Sequence, residues 1–187
     1  MKRENIWNVP NMLTMLRLLL IGVFIWLFRG EMYFAALATF LLAGVTDFLD
    51  GYIARKWNLI TSFGKLADPL ADKLMLIAAL ACLTTIGVVP WWVVAAVIFK
   101  ELLMVLGSVV AYKKGVVVYA RFIGKASTGL FVAAVAAAFF HRWIAPWDAY
   151  LLYIAVALSV GSMVFYGINL LNIDKTSGSR YNDTRGE

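Results

Sequence analysis

The feature that most limits what this chain can fold into is a succession of long apolar runs, separated by prolines and short charged breaks. A helix needs about 20 such residues to cross a hydrocarbon core about 30 Å thick. By that measure the runs are Met12–Phe28, Met32–Arg55, Leu66–Val89, Pro90–Tyr112, Arg121–Phe140 and Pro146–Leu171. Pro10, Pro90 and Pro146 each precede a run, where a missing N–H costs a helix little. The expectation is an all-α, polytopic integral membrane protein with six transmembrane helices. A short interfacial segment precedes them at Met1–Val9, with Ile6, Trp7 and Val9 beside Lys2 and Arg3. Of the 187 residues, 63% are hydrophobic and 15% charged, against about 45–50% and about 25% in soluble domains. That balance excludes a disordered chain, a coiled coil and, despite a net charge of +6, a nucleic-acid-binding module. The single cysteine, Cys82, excludes an internal disulfide framework.

Alternating the runs across a bilayer sorts the basic residues. One side collects Lys2, Arg3, Arg55, Lys56, Lys65, Lys113, Lys114, Arg121, Lys125, Lys175, Arg180 and Arg185, and the other Arg29 and Arg142. The positive-inside rule then puts both termini in the cytoplasm and the chain in the cell membrane. Trp7, Trp57, Trp91, Trp92, Trp143 and Trp147 fall in the flanks of the runs and Trp26 near an outer end, as an aromatic belt requires. A cleaved leader is disfavoured, because Arg17 interrupts the first run and the small-residue site at Ala36-Leu37-Ala38 comes late. Residues 1–173 read as a single membrane domain and 174–187 as a loose, polar cytoplasmic tail.

The informative residues are the charges inside the runs: Arg17, Asp47, Asp50, Asp68, Asp72, Lys73, Lys100 and Glu101. Charge at membrane depth is costly and usually functional. Most of these lie in the cytoplasmic half, while Lys100 and Glu101 are about 15 Å along their helix, nearer the midplane. Leu18–Phe28 and Leu102–Tyr112 are unbroken for only 11 residues each. The inner half is therefore expected to enclose a polar cavity. Asp47 and Asp50 are three residues apart, Asp68 and Asp72 four, so each pair shares a helix face. Four uncompensated carboxylates repel one another, and hard divalent cations relieve this while leaving coordination sites for phosphate oxygens. Two cations would suit phosphoryl transfer. The alternative is a purely structural network of the aspartates with Arg55, Lys65 and Lys73. Gly51 and Gly64 beside the acids admit either a ligand or a packed helix.

Together these residues read Asp47-x-x-Asp50-Gly51-x-x-Ala54-Arg55, eight residues, then Gly64-x-x-x-Asp68-x-x-x-Asp72. The pattern resembles the signature of the CDP-alcohol phosphotransferase family, whose six-helix layout fits residues 1–173. Two further segments, Asn8-Val9-Pro10-Asn11-Met12-Leu13-Thr14-Met15-Leu16-Arg17 and Gly124-Lys125-Ala126-Ser127-Thr128, resemble its phosphatidylglycerophosphate-forming branch. The resemblance implies a phosphatidyl transfer from CDP-diacylglycerol to a hydroxyl acceptor, with glycerol 3-phosphate as the expected acceptor and CMP released. It implies Asp47, Asp50, Asp68 and Asp72 as ligands of Mg²⁺ (or Mn²⁺), two per site, and Asp72 as general base. It also implies a cytidine diphosphate site at Gly51, Ala54, Arg55 and Gly64, joined by Asn11 and Thr14 of the N-terminal segment. Lys125, Arg121 and Lys100 offer positive charge to an anionic acceptor, and the family's habit implies a homodimer.

One departure bears on the acceptor. Many bacterial members of that branch carry Arg before the Glu of the fourth helix and a second Arg about two turns later. Here Lys100 fills the first position, and Gly107, Ser108 and Val109 surround the second. Arg and Lys are not interchangeable for bidentate phosphate binding, so a cardiolipin synthase of the same family, with phosphatidylglycerol as acceptor, is the rival. From another class, a cation transporter using the aspartates is the alternative, although the chain shows no internal repeat of the kind many transporters have.

Overall fold

The computed structural model describes residues 8–57, 61–113 and 122–183. Within these, side chains are described except at residues 54–55, 62–63, 65–66, 108–113, 122–126, 166 and 169–183. The described residues form seven helices: α1 (Val9–Arg29), α2 (Tyr33–Lys56), α3 (Ser62–Thr85), α4 (Trp91–Lys113), α5 (Phe122–Ala138), the short α6 (His141–Ile144) and α7 (Trp147–Asp183).

Local chemistry sets the ends. Asn8 caps α1, its side chain accepting from the Asn11 N–H at 3.0 Å, with Pro10 in the first turn. Gly30 ends α1, and Glu31 takes a left-handed conformation (φ 59°) in the tight turn into α2. Thr61 caps α3 by accepting from the Gly64 N–H at 3.0 Å. Gly87 turns the chain from α3 to α4 with φ 76°, a region where a side chain is strained.

All the long helices correspond to expected runs, with ends shifted by up to four residues except at the C-terminal end of α7, which extends twelve residues beyond Leu171. Among the described residues, three stretches are long and apolar enough to cross a membrane by length and composition: Val9–Arg29, Tyr33–Ile53 and Trp147–Phe165. The helix α3 is as long, with 24 residues, but carries Lys65, Asp68, Asp72 and Lys73. In α4, of 23 residues, the apolar run is broken by Lys100 and Glu101. At 17 residues, α5 is shorter. The helix α7 continues to Asp183, into the segment expected as a loose tail; that segment holds Gly178 but no proline to break it.

In the bundle α1 packs on α2 and α3, α5 on α7, and α3 touches α1, α2, α4 and α5. The interior is divided in two. Toward the α1–α2 turn it is apolar: Phe24, Phe28, Phe40, Leu80, Leu83, Val93, Val135 and Leu152 are buried. Phe139 stands edge-on to both Phe24 and Phe28, at 6.2 and 6.0 Å. An aromatic cavity of about 460 Å³ opens at this end, between Phe28, Phe34 and Phe140. Small residues, among them Ala134, Ala138 and Ala155, are buried where α5 packs on α7, as close helix approach favours. Cys82 is partly buried and packs against this core. His141 has its Nδ1 2.7 Å from Oδ2 of buried Asp148. The other end of the bundle is polar, with Asn11, Thr14, Arg17, Asp50 and Thr61 all buried.

The two halves make different demands on mutation. Phe24 is wholly buried and Leu19 is 70% exposed. Phe24→Ala is expected to cost about 3–5 kcal/mol and to lower the thermal midpoint in detergent sharply. Leu19→Ala, on the bundle's outer surface, is expected to leave it within a degree or two.

Candidate functional site

The polar end is built from three helices. Asn11, Thr14 and Arg17 recur at three-residue intervals and form one polar stripe along the otherwise apolar α1. The adjacent N-terminal half of α3 presents Thr61, Gly64, Asp68 and Asp72 at similar intervals. The two stripes meet rung by rung. The Thr61 hydroxyl donates to Asn11 Oδ1 at 3.0 Å. The Thr14 hydroxyl donates to Asp68 Oδ1 in a short contact. Arg17 Nη1 donates to Asp72 Oδ1 at 2.8 Å.

The last rung also takes in α2. The same Arg17 Nη1 lies 3.2 Å from Asp47 Oδ1, and Nη2 makes a short contact with Asp50 Oδ2. Arg17 therefore contacts three of the four aspartates and Thr14 holds the fourth. Exposure grades the cluster from inside to outside. Arg17 and Asp50 are each 1% exposed, whereas Asp47 and Asp72 are 42% and 43% exposed. Apolar side chains stand exposed beside the acids, including Phe48, Tyr52 and Leu70. The cluster is accordingly open at Asp47 and Asp72.

Gly64 has a specific reason to lack a side chain. A Cβ there would lie 2.9 Å from Asn11 Oδ1 and 3.2 Å from Thr61 Oγ1. Close approach of α1 to α3 is thus sufficient to account for this glycine.

The donor set is all oxygen, which suits a hard cation. Among the described side chains, four carboxylates face one guanidinium, leaving an excess of negative charge for a divalent cation to balance. No three acidic, histidine or cysteine side chains among the described residues close on one point as a ready-made cage. That is compatible with Mg²⁺, which usually binds through one or two carboxylates together with substrate phosphates.

Other expected site residues are placed differently. Lys73 pairs with Glu101 Oε2 at 2.5 Å and not with an aspartate. Lys100 Nζ contacts Glu101 Oε1 at 2.6 Å and donates to Ser159 Oγ at 3.0 Å, so its charge is already engaged within the bundle. Ser127 and Ser162 form a 2.9 Å hydrogen bond between α5 and α7. Ala54 and Arg55 lie on α2 and Lys125 on α5, but their side chains fall outside the described set, as does the whole of Arg121. Gly51 lies on α2, one residue beyond Asp50.

Sequence reasoning marked Arg17 as a costly charge without giving it partners, although its three-residue spacing from Thr14 and Asn11 was a usable signal. Thr61 was missed, although a threonine three residues before a glycine is a usable capping signal. Nothing in the sequence pointed to Ser159.

Comparison with known proteins agrees with the geometry. A family profile described as CDP-alcohol phosphatidyltransferase matches residues 7–161. A Bacillus subtilis protein named CDP-diacylglycerol--glycerol-3-phosphate 3-phosphatidyltransferase is 35% identical over 151 residues, covering 73% of this chain and 78% of its own length. A Mycobacterium tuberculosis protein named probable phosphatidylglycerophosphate synthase is 38% identical over 144 residues, 74% of this chain and 68% of its own length. A Streptomyces coelicolor protein named cardiolipin synthase (CMP-forming) is 35% identical over 132 residues, 67% of this chain and 61% of its own length.

The rung at Gly64 is directly testable. Gly64→Ala is expected to force Asn11 aside and to destabilise the fold by about 1–3 kcal/mol, the usual range for overpacking. Gly22→Ala, where a Cβ meets nothing within 4 Å, is the control and is expected to leave the thermal midpoint unchanged or slightly raised.

Proposed function

Since the chain belongs to the CDP-alcohol phosphatidyltransferase family, we propose that it transfers the phosphatidyl group of CDP-diacylglycerol to the hydroxyl of glycerol 3-phosphate, giving phosphatidylglycerophosphate and CMP. The observation that carries this reading is the gathering of Asp47, Asp50 and Asp72 on Arg17, with Asp68 held beside them by Thr14. In the proposed reaction the acceptor oxygen bonds to the diacylglycerol-linked phosphorus and the bond from that phosphorus to the CMP oxygen breaks.

Asp47, Asp50, Asp68 and Asp72 are the proposed ligands of Mg²⁺ or Mn²⁺, two ions per site. When bound, the ions neutralise the diphosphate and make CMP a better leaving group. Asp72 is the proposed general base. It lies on the open side of the cluster, 43% exposed, where a carboxylate oxygen is accessible to the acceptor's proton. Gly51, Ala54, Arg55 and Gly64, with Asn11 and Thr14, form the proposed cytidine diphosphate region, where Arg55 would pair with a phosphate. Asn11, Thr14 and Gly64 would serve it by fixing α1 against α3, given the contacts they make.

The helices α3, α4 and α5 are proposed to cross the membrane with α1, α2 and α7, so that residues 1–173 form one six-span domain with both termini cytoplasmic and residues 174–187 a cytoplasmic tail. The basic bias of the same side as the acids supports that orientation. The chain is proposed to act as a homodimer in the cell membrane. With the aspartates assigned to phosphatidyl transfer, a cation transporter has no feature left to support it.

The acceptor has a second reading. Lys100 is engaged by Glu101 and Ser159, which leaves Lys125 and Arg121 to meet an anionic acceptor and favours phosphatidylglycerol, as for a cardiolipin synthase. A CMP-release assay in detergent with CDP-diacylglycerol and Mg²⁺ separates the two. Release is expected with glycerol 3-phosphate; release with phosphatidylglycerol alone would replace the first reading by the second. Asp72→Asn is expected to lower the rate by about 10²–10⁴-fold, the usual worth of a general base, while Mn²⁺ binding, which keeps Asp47, Asp50 and Asp68, is weakened but largely survives. Normal turnover by that variant would refute the assignment of the base.

A further inference from the structure

Arg17 is an unusual residue to bury. Its guanidinium stays charged at any pH a protein tolerates, yet the side chain is 1% exposed. Its contacts are correspondingly specific. Nη1 meets Asp47 Oδ1 and Asp72 Oδ1, and Nη2 meets Asp50 Oδ2. Each contact is made through one oxygen of its carboxylate. Its Nε is buried with no hydrogen-bond partner, so the terminal nitrogens, and not a fully satisfied fork, fix where the group sits. One positive charge against three carboxylates leaves the group of four anionic overall, and therefore still attractive to a divalent cation.

We propose that Arg17 is the positioning residue of the acid cluster: a permanent internal cation that holds one oxygen of each of Asp47, Asp50 and Asp72, and so aims the second oxygen of each at a divalent cation. This rests on the reading of those aspartates as metal ligands. A planar guanidinium suits the role, because it presents several donors in fixed directions to carboxylates arriving from two helices; an ammonium is a single point charge on a flexible stem. The position of Arg17 also explains why α1, which supplies none of the proposed ligands, carries a charge at this depth.

Groups that orient a metal's ligands typically change its affinity 10–100-fold when removed. The test is Mn²⁺ titration of the full chain in detergent, with free Mn²⁺ read by electron paramagnetic resonance. Arg17→Met is expected to weaken Mn²⁺ binding by about 10–100-fold, and Arg17→Lys to fall between that variant and the original chain. Unchanged or tighter binding by Arg17→Met overturns the proposal, since the guanidinium would then be a bystander or a competitor of the metal. If Arg17→Met does not fold, the comparison is between Asp50→Asn and the double variant Arg17→Met, Asp50→Asn, which leaves no charge of that pair unmatched. The double variant is expected to bind Mn²⁺ more weakly than Asp50→Asn; equal affinity overturns the proposal. CMP release is measured in parallel. Saturable Mn²⁺ binding without CMP release by the original chain refutes the proposed reaction and leaves the role of Arg17 standing. Release with unaltered Mn²⁺ binding by Arg17→Met does the reverse. Absence of saturable Mn²⁺ binding by the original chain refutes both.

Discussion

The ion pairs of Arg17 with Asp47, Asp50 and Asp72 are the interaction on which the polar half of the molecule depends. They join α1, α2 and α3 at one point. Such a cluster is a poor source of net stability, because removing the charges from water costs energy comparable to what their attraction returns. Its effect is on arrangement. An arginine at this depth left without its carboxylates is strongly unfavourable, so packings of α1 that separate it from α2 and α3 are disfavoured. The Thr14–Asp68 and Asn11–Thr61 contacts extend the same registration toward the start of α1.

Stability comes from the opposite half. The aromatic group of Phe24, Phe28, Phe40 and Phe139, with the aliphatic residues of α3 to α5 and α7 around it, forms a continuous apolar interior. Small residues at the α5–α7 contact allow close approach of backbones, which in lipid replaces the hydrophobic drive that water would supply. This division lets the polar half be open on one side and rich in like charge without loss of the bundle. Asp47 and Asp72 reach the open side while Asp50 and Arg17 stay enclosed, and the enclosed pair keeps the open pair in place.

Much of this was legible in the residues. Run lengths gave the long helices, because span length is set by bilayer thickness and needs no knowledge of neighbours. The spacing of Asp47 with Asp50, and of Asp68 with Asp72, gave shared helix faces for the same reason: the period is local. Partners were not legible. Arg17 meets residues 30 to 55 positions away, Lys100 meets Ser159 across 59, and Lys73, which the structural alternative paired with the aspartates, meets Glu101 on α4. Each depends on which helices become neighbours, and periodicity within one helix carries no such information. Gly64 was open between ligand and packing until the approach of Asn11 was seen.

Family membership fixes the general chemistry, and the geometry adds where within the bundle that chemistry would be carried out. The most direct test of the central claim, that the Arg17-centred aspartates are the metal-dependent centre, is to locate the metal. Crystals of the full chain grown with Mn²⁺ and CDP-diacylglycerol, measured at the manganese absorption edge, give that position independently of any assay. The arrangement described here predicts anomalous peaks among Asp47, Asp50, Asp68 and Asp72, with Arg17 still in contact with the first two and the last. Manganese bound elsewhere in the chain, with those four carboxylates free of it, would contradict it.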